Sequence, residues 1–200
     1  MLTLVLIVLT CIVSFAAFNS PRAIGAPILW PPAVSRGEYW RLVTYGLIHA
    51  DVGHLAFNMI TLYFFGRVIE PFLVGEIGQA GYVAFYVAAL VFSILPTYAT
   101  NRDNAEYRSL GASGAVSAVL FAFILTNPWS MLLVFFIPMP AIVYAVAYTA
   151  YSIWMDRARK DNVNHSAHLW GAAFGVAFML VVEPRLWRVF LTRLLDPSFG

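Results

Sequence analysis

Residues 111–127 read GASGAVSAVLFAFILTN, an uncharged stretch that opens on a serine set among Gly111, Ala112 and Gly114 and continues as an apolar run. A helix at the surface of a soluble protein carries a charged or polar face, and this stretch has no charge anywhere along it. It approaches the roughly 20 residues that cross a hydrocarbon core and reads as a transmembrane helix from about Ala112 to Asn127. Toward the N-terminus, similar runs span about Ala80 to Tyr98, His54 to Val68 and Leu2 to Phe18. Toward the C-terminus a fifth covers Met131 to Trp154 and a sixth about Ser166 to Val182. The fifth is interrupted by Ile-Pro-Met-Pro at 137–140, which predicts a kinked or late-starting helix.

The first run reads as a transmembrane helix in preference to a secretory leader, because it lacks a basic n-region and the first positive charge, Arg22, follows it. Between it and the second run lies Asn19 to Gly53, with Pro21, Pro27, Pro31, Pro32 and the aromatics Trp30, Tyr39 and Trp40. That composition suits an interfacial, partly embedded loop. The expected organisation is one transmembrane domain over 1–183 and a short arginine-bearing tail over 184–200.

Composition agrees. The 200 residues are 61% hydrophobic and 11% charged, against about half and about a quarter in soluble domains. So few charges cannot cover a water-facing surface, and the fold class is an all-α membrane protein. A formal charge of +2 without a basic run gives no phosphate-binding patch, so nucleic acid is excluded as a partner and the lipid bilayer is the expected one. Cys11 is the only cysteine, which excludes an intramolecular disulfide and a cysteine zinc cluster. No internal repeat supports an inverted-repeat transporter. Six spans put both termini on one side. Arg67, Arg185, Arg188 and Arg193 lie with them, while Arg22, Arg36, Arg41, Arg102, Arg108, Arg157, Arg159 and Lys160 lie opposite. By the positive-inside rule alone the termini would be outside.

Polar side chains on apolar helices are costly and mark candidate sites. His54 and Asn58 are four apart and share a helix face, with His49 just before them; Ser113 sits among small residues; His168 is followed by Gly171 and Gly175. Taken singly, each has a structural explanation: small residues pack helices, serine caps them, and Asn or His joins neighbours by hydrogen bonds. Together they supply the parts of acyl transfer. Ser113 is the nucleophile, His168 the base that takes its proton and returns it to the leaving amine, and His54, Asn58 and the Ser113 amide hold the oxyanion. No acid accompanies the histidine, so a dyad rather than a triad is expected. Gly171 and Gly175, with Gly111 and Gly114 opposite, let the two helices close, and His49 and Asp51 help hydrate the cavity that hydrolysis needs. A metal-dependent protease or metal transporter is the first rival. It lacks a His-Glu-x-x-His pair, and His49 and His54 are five apart. No metal or other cofactor is expected.

The same residues resemble the rhomboid proteases. Tyr39-Trp40-Arg41 is similar to that family's first-loop Trp-Arg motif, HADVGHLAFN (49–58) to its His/His/Asn motif, GASG (111–114) to its serine motif, and AHLWGAAFG (167–175) to its histidine helix. Glu70 matches an acid that ties the second helix to its neighbours. The resemblance implies a six-transmembrane-helix bundle of the bacterial type and a Ser113–His168 dyad with His54 and Asn58 at the oxyanion. It also implies that Arg41 braces the first loop, and it places both termini in the cytoplasm of a bacterial inner membrane, against the charge count. The expected activity is intramembrane serine endopeptidase action on single-span transmembrane proteins whose helices unwind near the surface; the alternative is an inactive relative that binds transmembrane clients. The chain departs from the pattern at Ser117, where the family often has an aromatic on which the catalytic histidine stacks. His165, three residues before His168, reads as an interfacial polar residue. Pro138 and Pro140 make the fifth helix a candidate lateral gate. The sequence does not fix the oligomeric state.

Overall fold

A computed structural model describes residues 1–18, 20, 24–134 and 136–197. Pro21 and Arg22 of the first loop and residues 198–200 of the tail lie outside the described residues. The first helix, α1 (Leu2–Phe18), buries Thr3, Thr10, Ser14 and Ala17 and turns Val5, Val8, Ile12 and Phe15 outward. Polar side chains face the protein and large apolar ones face away, the reverse of a helix in water. In lipid the arrangement is favourable, because apolar side chains meet acyl chains and small polar ones let helices approach.

Helix α4 (Val52–Thr100) contains the second and third expected runs in one near-continuous element, after the short α2 (Pro31–Ser35), α3 (Arg41–Thr44) and a 3₁₀ turn at Tyr45–Leu47. The second run therefore extends well past Val68. The chain reverses at Gly78, whose φ of 76° and ψ of 173° interrupt the helix. A Cβ at Gly78 would meet nothing within 4 Å, so conformation, not space, requires glycine there. Glu70 on the first arm accepts from the amides of Leu2 (2.6 Å) and Thr3 (2.9 Å), and the Thr3 hydroxyl bonds Tyr82 on the second arm at 2.8 Å. One carboxylate thus caps α1 and joins it to α4.

Helix α5 (Ser113–Thr126) is followed by a correction to the all-helical expectation. Residues assigned to the start of the fifth span form an antiparallel hairpin, β1 (Met131–Val134) with β2 (Ile137–Pro140), in the register Met131 to Pro140 and Val134 to Ile137. Pro138 and Pro140 lack the N–H groups a helix needs and hold the residues before them extended. Helix α6 (Ala141–Ala158) begins immediately after, with the amides of Ala141 and Ile142 donating to the carbonyls of Ser130 (2.9 Å) and Pro128 (2.8 Å). The prolines shape its start and do not weaken its interior. Helix α7 (His165–Val182) begins one residue earlier than the pattern indicates, with the Asn164 side chain accepting from the Ala167 amide. The tail forms α8 (Leu186–Leu195), held at the far end of α5 where the Trp129 indole donates to the Arg193 carbonyl at 2.9 Å and Arg193 donates to the Thr126 carbonyl.

The closest packing is between α5 and α7. A Cβ on Gly171 would lie 2.0 Å from the Gly114 carbonyl oxygen, and one on Gly175 2.2 Å from that of Ala118. Backbone lies on backbone along a full turn of each helix. Gly114 also faces α4, where its Cβ would fall 2.3 Å from the Ser93 hydroxyl. Gly111 does not join this crossing; it lies against His54. Replacing Gly171 or Gly175 by valine must therefore part the helices, with an expected loss of about 1–3 kcal/mol for each. Gly75→Ala, with nothing within 4 Å of the added methyl, should be neutral or slightly stabilising. Thermal unfolding in detergent distinguishes the two classes.

Candidate active site

Ser113 is the first residue of α5, and no side chain caps that helix. The first amides of a helix have no partner within it and carry the positive end of its dipole, which favours an anion beside them. Three supports converge on the segment leading into Ser113. Leu29 pairs with Ser109 through both amides, at 3.0 and 3.2 Å, and the Gly111 amide donates to the Tyr45 carbonyl at 2.9 Å. The third is His49. Its Nδ1 is 3.0 Å from the Ser14 hydroxyl, which donates to the Leu47 carbonyl, and its Nε2 accepts from the Ala112 amide at 3.4 Å. These contacts require a neutral ring with its proton on Nδ1. Burial, with the neighbouring His54 ring, pushes the His49 pKa down to about 4, in keeping with that state. At 1% exposure His49 is sealed from solvent, so it joins α1 to the serine segment and does not hydrate a cavity. Asp51 is exposed and caps α4 by accepting from the His54 amide at 2.8 Å.

Gly111 has a φ of 110°, and a Cβ there would lie 2.6 Å from His54 Cε1. The His54 ring therefore rests directly on the backbone two residues before Ser113. Asn58 lies on the same arm, 2% exposed, with its side-chain nitrogen donating to the His54 carbonyl at 2.9 Å. An amide nitrogen has two protons, so one donor remains.

His168 is in the first turn of α7. The α5–α7 crossing extends to its neighbour, since a Cβ on Gly114 would lie 3.3 Å from the Ala167 carbonyl oxygen. Ser113 is bonded to Gly114 and His168 to Ala167, so the crossing brings both to the same end of the helix pair. No hydrogen bond joins them among the described residues; such bonds often tighten only when substrate is bound. His165 is buried within the protein, edge-on to His168 with centroids 5.8 Å apart, and its Nε2 lies 3.2 Å from both carboxylate oxygens of Asp161. That hydrogen bond holds the Asp161 carboxyl below its usual range. Asn164, absent from the sequence-based candidates, accepts from Thr97 at 3.0 Å as well as capping α7, and fixes that end of the helix to α4. An asparagine immediately before the apolar run is the signal for it.

The rhomboid domain family matches residues 36–185 of the sequence. The chain belongs to the rhomboid family. It is 34% identical over 149 residues to RHOMBOID-like protein 12, mitochondrial, of Arabidopsis thaliana, covering 68% of this chain and 44% of that protein. To the presenilin-associated rhomboid-like protein, mitochondrial, of Bos taurus it is 33% identical over 145 residues, covering 70% of this chain and 37% of the relative. The rhomboid protease GluP of Bacillus subtilis is 31% identical over 91 residues, covering 46% of this chain and 16% of GluP. The matched region is thus less than half the length of each of these relatives. Rhomboid proteins are membrane proteins, which accords with the outward apolar faces of α1.

Two further observations concern the rhomboid motifs. Arg41 is 7% exposed and donates to Glu38 (2.7 Å) and to the carbonyls of Gly25 and Ile28 (2.8 Å each), so it ties the first loop together as the resemblance implies. Tyr148 on α6, which no motif indicated, stacks on His168, and its hydroxyl lies 2.9 Å from that of Ser117. A tyrosine among apolar helical residues carries no sequence mark of such a contact. His49→Ala would leave the buried Ala112 amide without a partner. A loss of about 1–3 kcal/mol is expected, with a smaller loss for Ser14→Ala, both read from thermal unfolding.

Proposed function

We propose that this rhomboid protein is an intramembrane serine endopeptidase acting through Ser113 and His168. The observation that carries the reading is the α5–α7 crossing, which gathers the candidate nucleophile and base at one end of two helices packed backbone to backbone. His168 takes the Ser113 proton as the hydroxyl attacks the scissile carbonyl, then returns it to the departing amine. The Ser113 amide at the uncapped start of α5, with His54 over Gly111 and the remaining donor of Asn58, stabilises the oxyanion. Glu70, Arg41 and His49 hold the surrounding helices and loop in register.

The membrane-crossing segments are α1, the two arms of α4, α5, α6 and α7, six in all. Contacts along the chain support this path. Glu70 meets the start of α1, His49 meets Ser14 near its end, and α8 meets the far end of α5. The Ser113 end of α5 then faces the surface opposite the start of α1 and opposite α8. We assign the termini to the cytoplasm of a bacterial inner membrane. The substrates are single-span membrane proteins, because hydrolysis needs an extended backbone at Ser113 and an intact helix hides its carbonyls.

Cleavage of a model transmembrane substrate in detergent tests this. Ser113→Ala and His168→Ala should each lower cleavage by at least about 10³-fold, and a chelator should leave the wild type unchanged. Undiminished cleavage by either variant would remove the dyad. Loss with chelator would establish metal chemistry, and a folded wild type without activity toward any such substrate would support an inactive client binder.

A further inference from the structure

His168 needs a defined ring orientation to present one nitrogen to Ser113, and the hydrogen bonds among the described residues include none to its ring. Ring contacts surround it instead. Tyr148 stacks on one side, with centroids 6.1 Å apart and planes inclined by 23°, and His165 meets it edge-on at 79°. Tyr148 is itself fixed from three directions. Its hydroxyl bonds Ser117 on α5 at 2.9 Å, Tyr144 stacks on it one turn earlier at 5.5 Å, and Phe121 lies 5.8 Å away. Ser117 is 4% exposed, so this tether is inside the bundle. On the outer side, an open apolar groove of about 420 Å³ is lined by Phe121 of α5 and by Ala145, Val146, Thr149, Ala150 and Ile153 of α6.

We infer that Tyr148 is a positioning residue for His168 and that Ser117 is its tether, together doing from α6 what an aromatic at position 117 would do from α5. The inference rests on the proposed dyad. Serine at 117 is then no loss of support: its small side chain leaves room for a ring from the neighbouring helix and supplies the hydroxyl that holds it. The stacked ring also favours the transition state, because the electron-rich face of tyrosine attracts the imidazolium that forms when His168 takes the serine proton. A second consequence concerns α6. Its ring is part of the dyad's support, so an outward displacement of α6 removes that support, and the orientation of His168 follows the position of this helix.

The test is steady-state cleavage of a transmembrane substrate by Tyr148→Leu, Tyr148→Phe, Ser117→Ala and the double variant Ser117→Phe with Tyr148→Leu, each checked for folding by thermal unfolding. Tyr148→Leu should lower kcat by about 10- to 100-fold with KM changed less than about threefold. Tyr148→Phe and Ser117→Ala keep the ring without the tether and should lose about threefold to tenfold in kcat. The double variant, which returns a ring to α5, should recover at least about fivefold over Tyr148→Leu. Wild-type kcat in folded Tyr148→Leu would overturn the inference, as would a folded double variant no faster than the single one. If Tyr148→Leu does not fold, unchanged kcat in both Tyr148→Phe and Ser117→Ala would overturn it. Failure here with cleavage still dependent on Ser113 leaves the dyad standing, whereas activity independent of Ser113 removes the dyad itself.

Discussion

The contact of Gly171 with the Gly114 backbone, and of Gly175 with that of Ala118, is the constraint on which the rest of the site depends. Two helices in lipid gain little from the hydrophobic effect, because acyl chains are as apolar as leucine; close van der Waals contact has to hold them. Glycine permits that contact by removing the side chain. The residues just beyond the crossing, Ser113 and His168, can then meet at a fixed separation despite being 55 positions apart in the chain. Ser93 fills the remaining side of Gly114, so α4 is joined to the same point.

Around this crossing, the buried polar groups are concentrated where elements join. Ser14 and His49 link α1 to the serine segment, Glu70 and Thr3 link α1 to both arms of α4, and Asn164 links α7 to α4 through Thr97. Within a membrane the outside offers no hydrogen-bond partner, so each such pair fixes a helix position more strictly than apolar packing can. The outward faces have no such demand and carry large apolar side chains such as Val5, Ile12, Phe57 and Phe64. The same logic accounts for Arg41, whose guanidinium holds two loop carbonyls and a carboxylate from a nearly buried position.

Much of this was legible in the sequence, and the exceptions have physical causes. The four-residue spacing of Gly171 and Gly175 reads directly as a close-packing face, and an uncharged run beginning at Gly111 reads as a helix of the same bundle. The hairpin at 131–140 was not legible, because its strands are as apolar as a span; only Pro138 and Pro140 distinguish it, and they indicate a kink or a late helix start, the second of which holds, without indicating strands. The sequence places a connection between Val68 and Ala80, but not that helix continues through most of it and breaks only at Gly78, because that stretch is less apolar than the runs beside it. Tyr148 was invisible for a different reason. The contact it makes with His168 links α6 to α7, and local sequence records only which side chains an element carries, not which neighbour they reach. Ser117 looked like a missing ring because its partner lay 31 residues away.

The central claim is that Ser113 is a nucleophile activated by His168 inside a rhomboid bundle. Mapping the covalent adduct of a fluorophosphonate probe by mass spectrometry addresses it without choosing a substrate. The account predicts a single adduct, on the peptide carrying Ser113, that disappears in folded His168→Ala. An adduct on another residue, or equal labelling of Ser113 without His168, would contradict it.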